Sequence, residues 1–254
     1  MSRSTFREQV DVCWQKQLRD KYMEEGTPPV PHLDVGRARV RPVSRKLAEQ
    51  IILKYEWLGT MSTTSLHYGL FFGPFCAGVT CVSSGAAMAG AYHHRQFGIS
   101  REGLLTLARG ACVHWCPSGG NSKLVAWTAR MLSRQGAGKL LWATSDTDAG
   151  EIGTIYQACG WAYIGLGGGN RPDAEMIAPN GRSVNRRMLS TYAAKWRCNT
   201  KQAKERLLDN GWTMQPSNPK HRYVYVIDKK DKALVARIER MRQPYPKRAD
   251  EATQ

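Results

Sequence analysis

The 254-residue chain lacks most of the short signatures by which an activity is read directly from sequence. None of its seven cysteines stands in a C-x-x-C pair, which excludes a zinc ribbon and a thioredoxin-type redox motif. There is no H-E-x-x-H and no G-x-G-x-x-G. The Gly-Lys at 138–139 has neither the leading glycine nor the trailing Ser/Thr of a phosphate loop. No apolar run reaches the roughly 18–20 residues that cross a bilayer, and MSRSTFREQVDVCW at the start holds no secretory apolar segment. The expectation is a soluble cytoplasmic protein, without a membrane partner, whose cysteines are reduced and mostly buried.

Negative charge is the next scarcity. Asp and Glu number 21 against 37 Lys and Arg, a net charge of +16. The imbalance is uneven: residues 1–60 carry net +3, 61–180 net +2 and 181–254 net +11. An excess of this size favours a polyanionic partner, with nucleic acid ahead of a merely soluble basic surface. Hydrophobic residues are not scarce. At 42%, with 23 Trp, Tyr and Phe, they are enough for a core.

Along the chain, residues 1–26 read as a polar amphipathic helix or extension. Three prolines at 28–31 end it and favour an extended linker to 34. VGRARVRPV (35–43) alternates as a strand. Ser44 is placed to cap a helix carrying Leu47, Ala48, Ile51, Ile52 and Tyr55, with Gly59 as its stop. HYGLFF and FCAGVTCV around Gly73-Pro74 predict a hairpin. Then come a loop to 103, a strand at 104–115, a loop CPSGGN, a helix at 122–134, a strand at 139–146, a short helix at 155–160 and a strand at 161–167. Asn180-Gly181 marks another hairpin, 199–211 a helix with Thr200 as cap, 220–228 a strand, and 229–254 a basic charged tail that can continue as a helix over VARIERMR (235–242) before fraying. The order predicts one α/β domain over 35–228.

Within that order, a strand, a glycine loop and a helix aim free backbone N–H groups at one point, suited to phosphate, carboxylate or an oxyanion. Ser118, Gly119, Gly120, Asn121 and Ser122 form that loop, although Asn121 serves equally well as a plain helix cap. The next strand ends at Asp146, where ligands bind in open α/β sheets. Asp146 is either a general base or amine-orienting group or a loop cap, and Tyr156 either a proton donor or a packing residue. Arg109, mid-strand in an apolar run, needs an anionic partner, and Asp146 is the specific expectation. His93-His94 point to opposite sides if extended, which makes joint chelation awkward. His114 reads as a core histidine and His221 as a phosphate or surface contact.

The run DTDAGEIGTIYQACGWAYIG (146–165), with WLGTM, HYGLFFG, the L-x-L-A-R strand and the late PKHRYVY, resembles the Mom family of phage DNA-modification proteins. The resemblance spans roughly 35–228. It implies a fold related to GNAT-type N-acyltransferases, a central mixed sheet flanked by helices, here with a basic C-terminal extension. The activity it implies is conversion of adenine in DNA to N6-carbamoylmethyladenine, which shields phage DNA from restriction in the bacterial host. It implies Arg109, Asn121, Ser122, Asp146 and Tyr156 as active-site residues. SGGNSK (118–123) departs from the acetyl-CoA signature [Q/R]-x-x-G-x-[G/A]. The donor is therefore acetyl-CoA or an activated glycine such as glycyl-tRNA. Iron is a further cofactor that the family raises, and the sequence offers no clear ligand set for it. Double-stranded DNA is the expected partner, its adenine flipped into the crevice, with Trp57, His67, Tyr68 or Trp115 as stacking candidates, and tRNA is a second. Arg182, Arg186, Arg187, Lys195, Arg197, Lys220, His221 and Arg222 are the expected phosphate contacts.

Overall fold

The computed structural model describes Lys21 and residues 33–56, 59–84, 93–167, 175–179, 183–185, 188–216 and 218–247. The expected N-terminal helix, most of the proline linker, Trp57, the Asn180-Gly181 turn, Arg182, Arg186 and Arg187 lie outside the described residues.

Seven strands form one mixed sheet: β1 (Arg39–Pro42), β2 (Leu66–Phe72), β3 (Phe75–Ser84), β4 (Leu104–Cys112), β5 (Leu140–Ser145), β6 (Ala162–Gly167) and β10 (Lys220–Val226). Their spatial order is β1-β2-β3-β4-β5-β10-β6. Only β4 and β5 pair in parallel, and β10 is wedged antiparallel between β5 and β6. The helices are α1 (Arg45–Tyr55), α2 (His93–Gln96), α3 (Gly120–Gln135), α4 (Thr154–Ala158), α5 (Met188–Trp196), α6 (Thr200–Asp209) and α7 (Lys232–Met241). A second, three-stranded sheet, β8-β7-β9, joins β7 (Glu175–Ile177), β8 (Ser183–Asn185) and β9 (Thr213–Gln215).

Strand alternation divides the core between the two faces of the large sheet. On β5, Leu141 and Ala143 pack with Val125, Ala129 and Leu132 of α3 and with Tyr156 and Trp161. Leu140 and Trp142 pack with Phe97 and with Leu234 and Ile238 of α7. Residues beyond 228 are thus part of the packed body: α7 buries two apolar residues, and Tyr245 donates to the Trp161 carbonyl at 2.7 Å. The domain boundary expected at 228 falls inside this packing, because the apolar spacing of Leu234 and Ile238 fits a helix face.

The Ser44 cap forms, its hydroxyl accepting from Leu47 N–H at 3.2 Å. Two local expectations change. The cap of α6 is Asn199, which exchanges hydrogen bonds with Gln202 in a capping box, rather than Thr200. The run from Met188, expected as the return strand of a hairpin, is helical from its first residue, because Leu189, Ala193 and Trp196 share a helix face.

The β4–β5 pairing sets the site. It stops at Thr106↔Trp142, although β4 continues to Cys112 and β5 to Ser145. A bulge in β4 lies just beyond, where Cys81 faces Arg109 and Val82 faces Leu107. The two strands therefore part toward their carboxyl ends, leaving a V-shaped opening.

Candidate active site

The V is lined from four directions. Asp146 comes directly after β5 and is 8% exposed. Its Oδ2 forms an ion pair with the Lys220 ammonium at the start of β10. The chain then turns through a short 3-10 segment, and Glu151 N–H returns to the Asp146 carbonyl at 3.0 Å. This brings a second carboxyl beside the first. Burial and the Asp146 charge push the Glu151 carboxyl up to about 7. Glu56, just past the end of α1 and 8% exposed, adds a third acid facing the same group.

Tyr156 lies below this cluster on α4, packed against Trp161 and Tyr223 at ring-centroid distances of 5.0 and 5.2 Å. Burial first, then the nearby Glu151, pushes its phenol well above its ordinary range, so it enters any reaction as a proton donor. Cys159 ties this helix to the opposite wall, its thiol donating to the Ser122 carbonyl at 3.3 Å.

That wall is the first turn of α3. Its N-cap is Gly119, at φ 83, with no side-chain cap. A left-handed conformation there suits glycine. Gly120 N–H bonds to the Pro117 carbonyl and Lys123 N–H to Gly119, while the Asn121 and Ser122 amides have no partner among the described residues. Asn121 is therefore not the cap; it sits in the open first turn. Ser122 Oγ donates to the Gly119 carbonyl at 3.0 Å, which holds the turn in shape. Two free amides at a helix N-terminus fit a donor's carbonyl or phosphate oxygen.

Arg109 does not pair with Asp146. Its guanidinium donates to the Thr60 carbonyl at 2.7 Å, to Thr60 Oγ1 at 3.3 Å and to the Ala108 carbonyl at 2.7 Å. Since β4 and β5 splay apart, Lys220 from the inserted β10 reaches Asp146 instead. Arg109 anchors the 59–60 segment over the β4 side of the opening.

The expected phosphate contacts separate into two groups. Lys220 is held by Asp146. His221 is 9% exposed with Nδ1 3.0 Å from the Tyr163 hydroxyl, and Arg222 donates to the Ile164 and Gly165 carbonyls. These three face inward because β10 is a central strand. Lys195 and Arg197 are exposed at the end of α5. Of the described stacking candidates, Tyr68 is 1% exposed and donates to Gln135, so its ring is closed to a base, while Trp115 packs edge-on to Phe72 and His67 bonds Thr64, both half-buried. His93 stacks on Trp142 at 4.6 Å. Among the described residues no three His, Cys, Asp or Glu side chains gather to hold a metal.

Sequence reading passed over Glu151 and Glu56. Glu151 stood inside the run that carried the family resemblance, but its closeness to Asp146 depends on the turn between them.

The sheet with its splayed parallel pair, beside a glycine loop at a helix N-terminus, defines an α/β protein with an open cleft at the carboxyl ends of β4 and β5. The model of the Mom protein family matches residues 37–247, and the chain belongs to that family. No curated protein matches it. Among solved structures the chain is similar to an IAA acetyltransferase from Bacillus cereus (12% identity, 74% of this chain and 99% of that one, TM-score 0.41). It is also similar to a Bacillus subtilis acetyltransferase in complex with CoA (12%, 75% and 99%, 0.41) and to the spermidine/spermine N-acetyltransferase of Vibrio cholerae (10%, 77% and 96%, 0.43).

Proposed function

We propose that the protein is a phage DNA-modification enzyme that transfers a glycine-derived group to adenine N6, giving N6-carbamoylmethyladenine and protecting the DNA from restriction. The observation that carries this is the pair Asp146–Glu151 beside two open amides, in a member of the Mom family. Adenine N6 is a weak nucleophile, because its lone pair is delocalised into the ring. It needs a base that takes its proton as it attacks, and an electrophile held in place.

Glu151 is that base. Its carboxyl, pushed up to about 7, accepts a proton in the transition state near neutral pH. Asp146, held by Lys220, keeps the neighbouring charge that raises Glu151 and is placed to orient the amine. The Asn121 and Ser122 amides stabilise the charge that grows on the glycyl carbonyl oxygen as N6 attacks, and Tyr156 protonates the departing oxygen of the carrier. The first product is N6-glycyladenine, an isomer of N6-carbamoylmethyladenine; attack of the glycyl amine on ring C6 and cleavage of the original C6–N6 bond then gives the carbamoylmethyl group with no further reactant. The target base enters the V flipped from its duplex. The donor whose atoms match this product is an activated glycyl group; transfer from acetyl-CoA would leave N6-acetyladenine instead.

Asp146→Asn and Tyr156→Phe are expected to remove modified adenine from plasmid DNA, read by nucleoside mass spectrometry, while leaving duplex binding within about twofold, since phosphate contacts elsewhere dominate affinity. Unchanged modification in both variants overturns this site. Stoichiometric acetyl-CoA binding with unmodified DNA would favour a small-amine acetyltransferase instead.

A further inference from the structure

Residues 168–219 leave the large sheet at the end of β6 and return at the start of β10, where Lys220 lies opposite Gly167. This excursion holds β7, β8, β9, α5 and α6 and has its own core of Met176, Leu189 and Leu207, flanked by Tyr192, Trp196, Trp212 and Met214. It contains nine Lys and Arg against four Asp and Glu. Its root is the cleft rim: His221, one residue beyond the return, lies opposite Ser145, and Thr147 Oγ1 donates to the Pro219 carbonyl at 2.7 Å.

A cavity of about 400 Å³ opens at the α5–α6 corner, lined by Trp196, Arg197, Cys198, Gln202 and Arg206. The Arg206 guanidinium lies over the Trp196 ring, 5.3 Å from its centroid, and Tyr192 supports the ring at 4.9 Å. The aromatic body fixes the cation with its donors still exposed. Arg197 is the second cation. It sits at φ 51, the one non-glycine residue at positive φ among the described residues. The turn is a Schellman cap: Cys198 N–H bonds to the Ala193 carbonyl and Arg197 N–H to Ala194. Glycine normally holds that position. An arginine kept in a conformation that glycine adopts freely points to a use for the side chain. Asn199 and Gln202 are engaged in the capping box, so the two guanidinium groups are the cavity's main ligand-seeking groups.

We propose that this cavity is a phosphodiester subsite that grips the DNA strand flanking the base in the cleft, with Arg197 and Arg206 as the contacting cations. The inference rests on the DNA-modification reading and adds where the strand is held. Two arginines set at a corner suit the two free oxygens of one phosphodiester. Planar guanidinium forks on an excursion whose root borders the cleft fit a continuous strand better than a small diffusible anion.

The test uses the full chain with a 30-base-pair duplex and, separately, with tRNA, binding being tracked by fluorescence anisotropy across salt concentrations. Arg197→Gly and Arg206→Gln are the variants. Arg197→Gly relieves the strained turn, so its melting temperature should hold or rise. Each variant should bind duplex roughly tenfold more weakly at moderate salt, with the log–log salt slope reduced by about 1. Duplex affinity unchanged in both variants overturns this subsite and leaves the modification reading standing. Loss of tRNA binding with duplex binding intact also overturns it, assigning the corner to the other polymer. A wild-type protein that binds duplex but modifies none overturns the modification reading, while the affinities of the variants still decide the subsite.

Discussion

Glu151→Gln is expected to lower adenine modification by roughly 10²–10⁴-fold, the usual worth of a positioned general base. The same variant should be more stable than wild type at pH 8. The sign comes from the raised carboxyl. In the unfolded chain Glu151 ionises near 4.5, whereas in the fold it holds its proton to about 7. Folding is therefore favoured below about 4.5, and that contribution is lost as pH rises through about 7. Glutamine never ionises and removes the penalty. Activity runs the other way: the wild-type rate climbs with pH through about 7 as the base form appears. A variant that loses both activity and stability at pH 8 would mark Glu151 as a structural acid only.

Gly153→Ala is expected to cost about 2–5 kcal/mol of stability from overpacking and left-handed strain combined. Gly153 has φ 76, and a Cβ there would sit 2.3 Å from the Tyr223 ring and 2.8 Å from Ser145 Oγ. The ring has little freedom to yield. Its hydroxyl donates to the Ile152 carbonyl at 2.5 Å and accepts from Gln157 Nε2 at 3.1 Å. Because Gly153 caps α4 between Glu151 and Tyr156, any relief moves both reacting groups. Thermal or urea unfolding measures the first effect. A shift below about 1 kcal/mol would show that the turn relaxes freely and that the cleft floor is not tightly packed.

The residues that reported the fold in advance were those whose signal is local. Ser44, the apolar spacing of α1 and α3, Gly73-Pro74 and the strand runs at 104–112 and 140–145 each carry their reason within a few positions. The placement of Asp146 at a carboxyl strand end was legible for the same reason. The Arg109–Asp146 pair was not, because the splay of β4 from β5 and the insertion of β10 between β5 and β6 are long-range facts. They hand Asp146 to Lys220, 74 positions away in sequence. Glu151 and Glu56 gain their meaning only when a turn and a helix end meet in the V. Charge alone likewise could not sort Lys220, His221 and Arg222, which face inward, from Arg197 and Arg206 on the excursion, because that depends on which strand is central.

The proposed reaction, modification of adenine in DNA with Glu151 as base, leaves a chemical mark on the DNA itself. The most direct measurement is nucleoside mass spectrometry of DNA from cells expressing wild type or Glu151→Gln at matched levels. A mass-shifted deoxyadenosine is expected with wild type, and its disappearance with Glu151→Gln. Unmodified deoxyadenosine with folded wild type, or equal modification by both proteins, would contradict it.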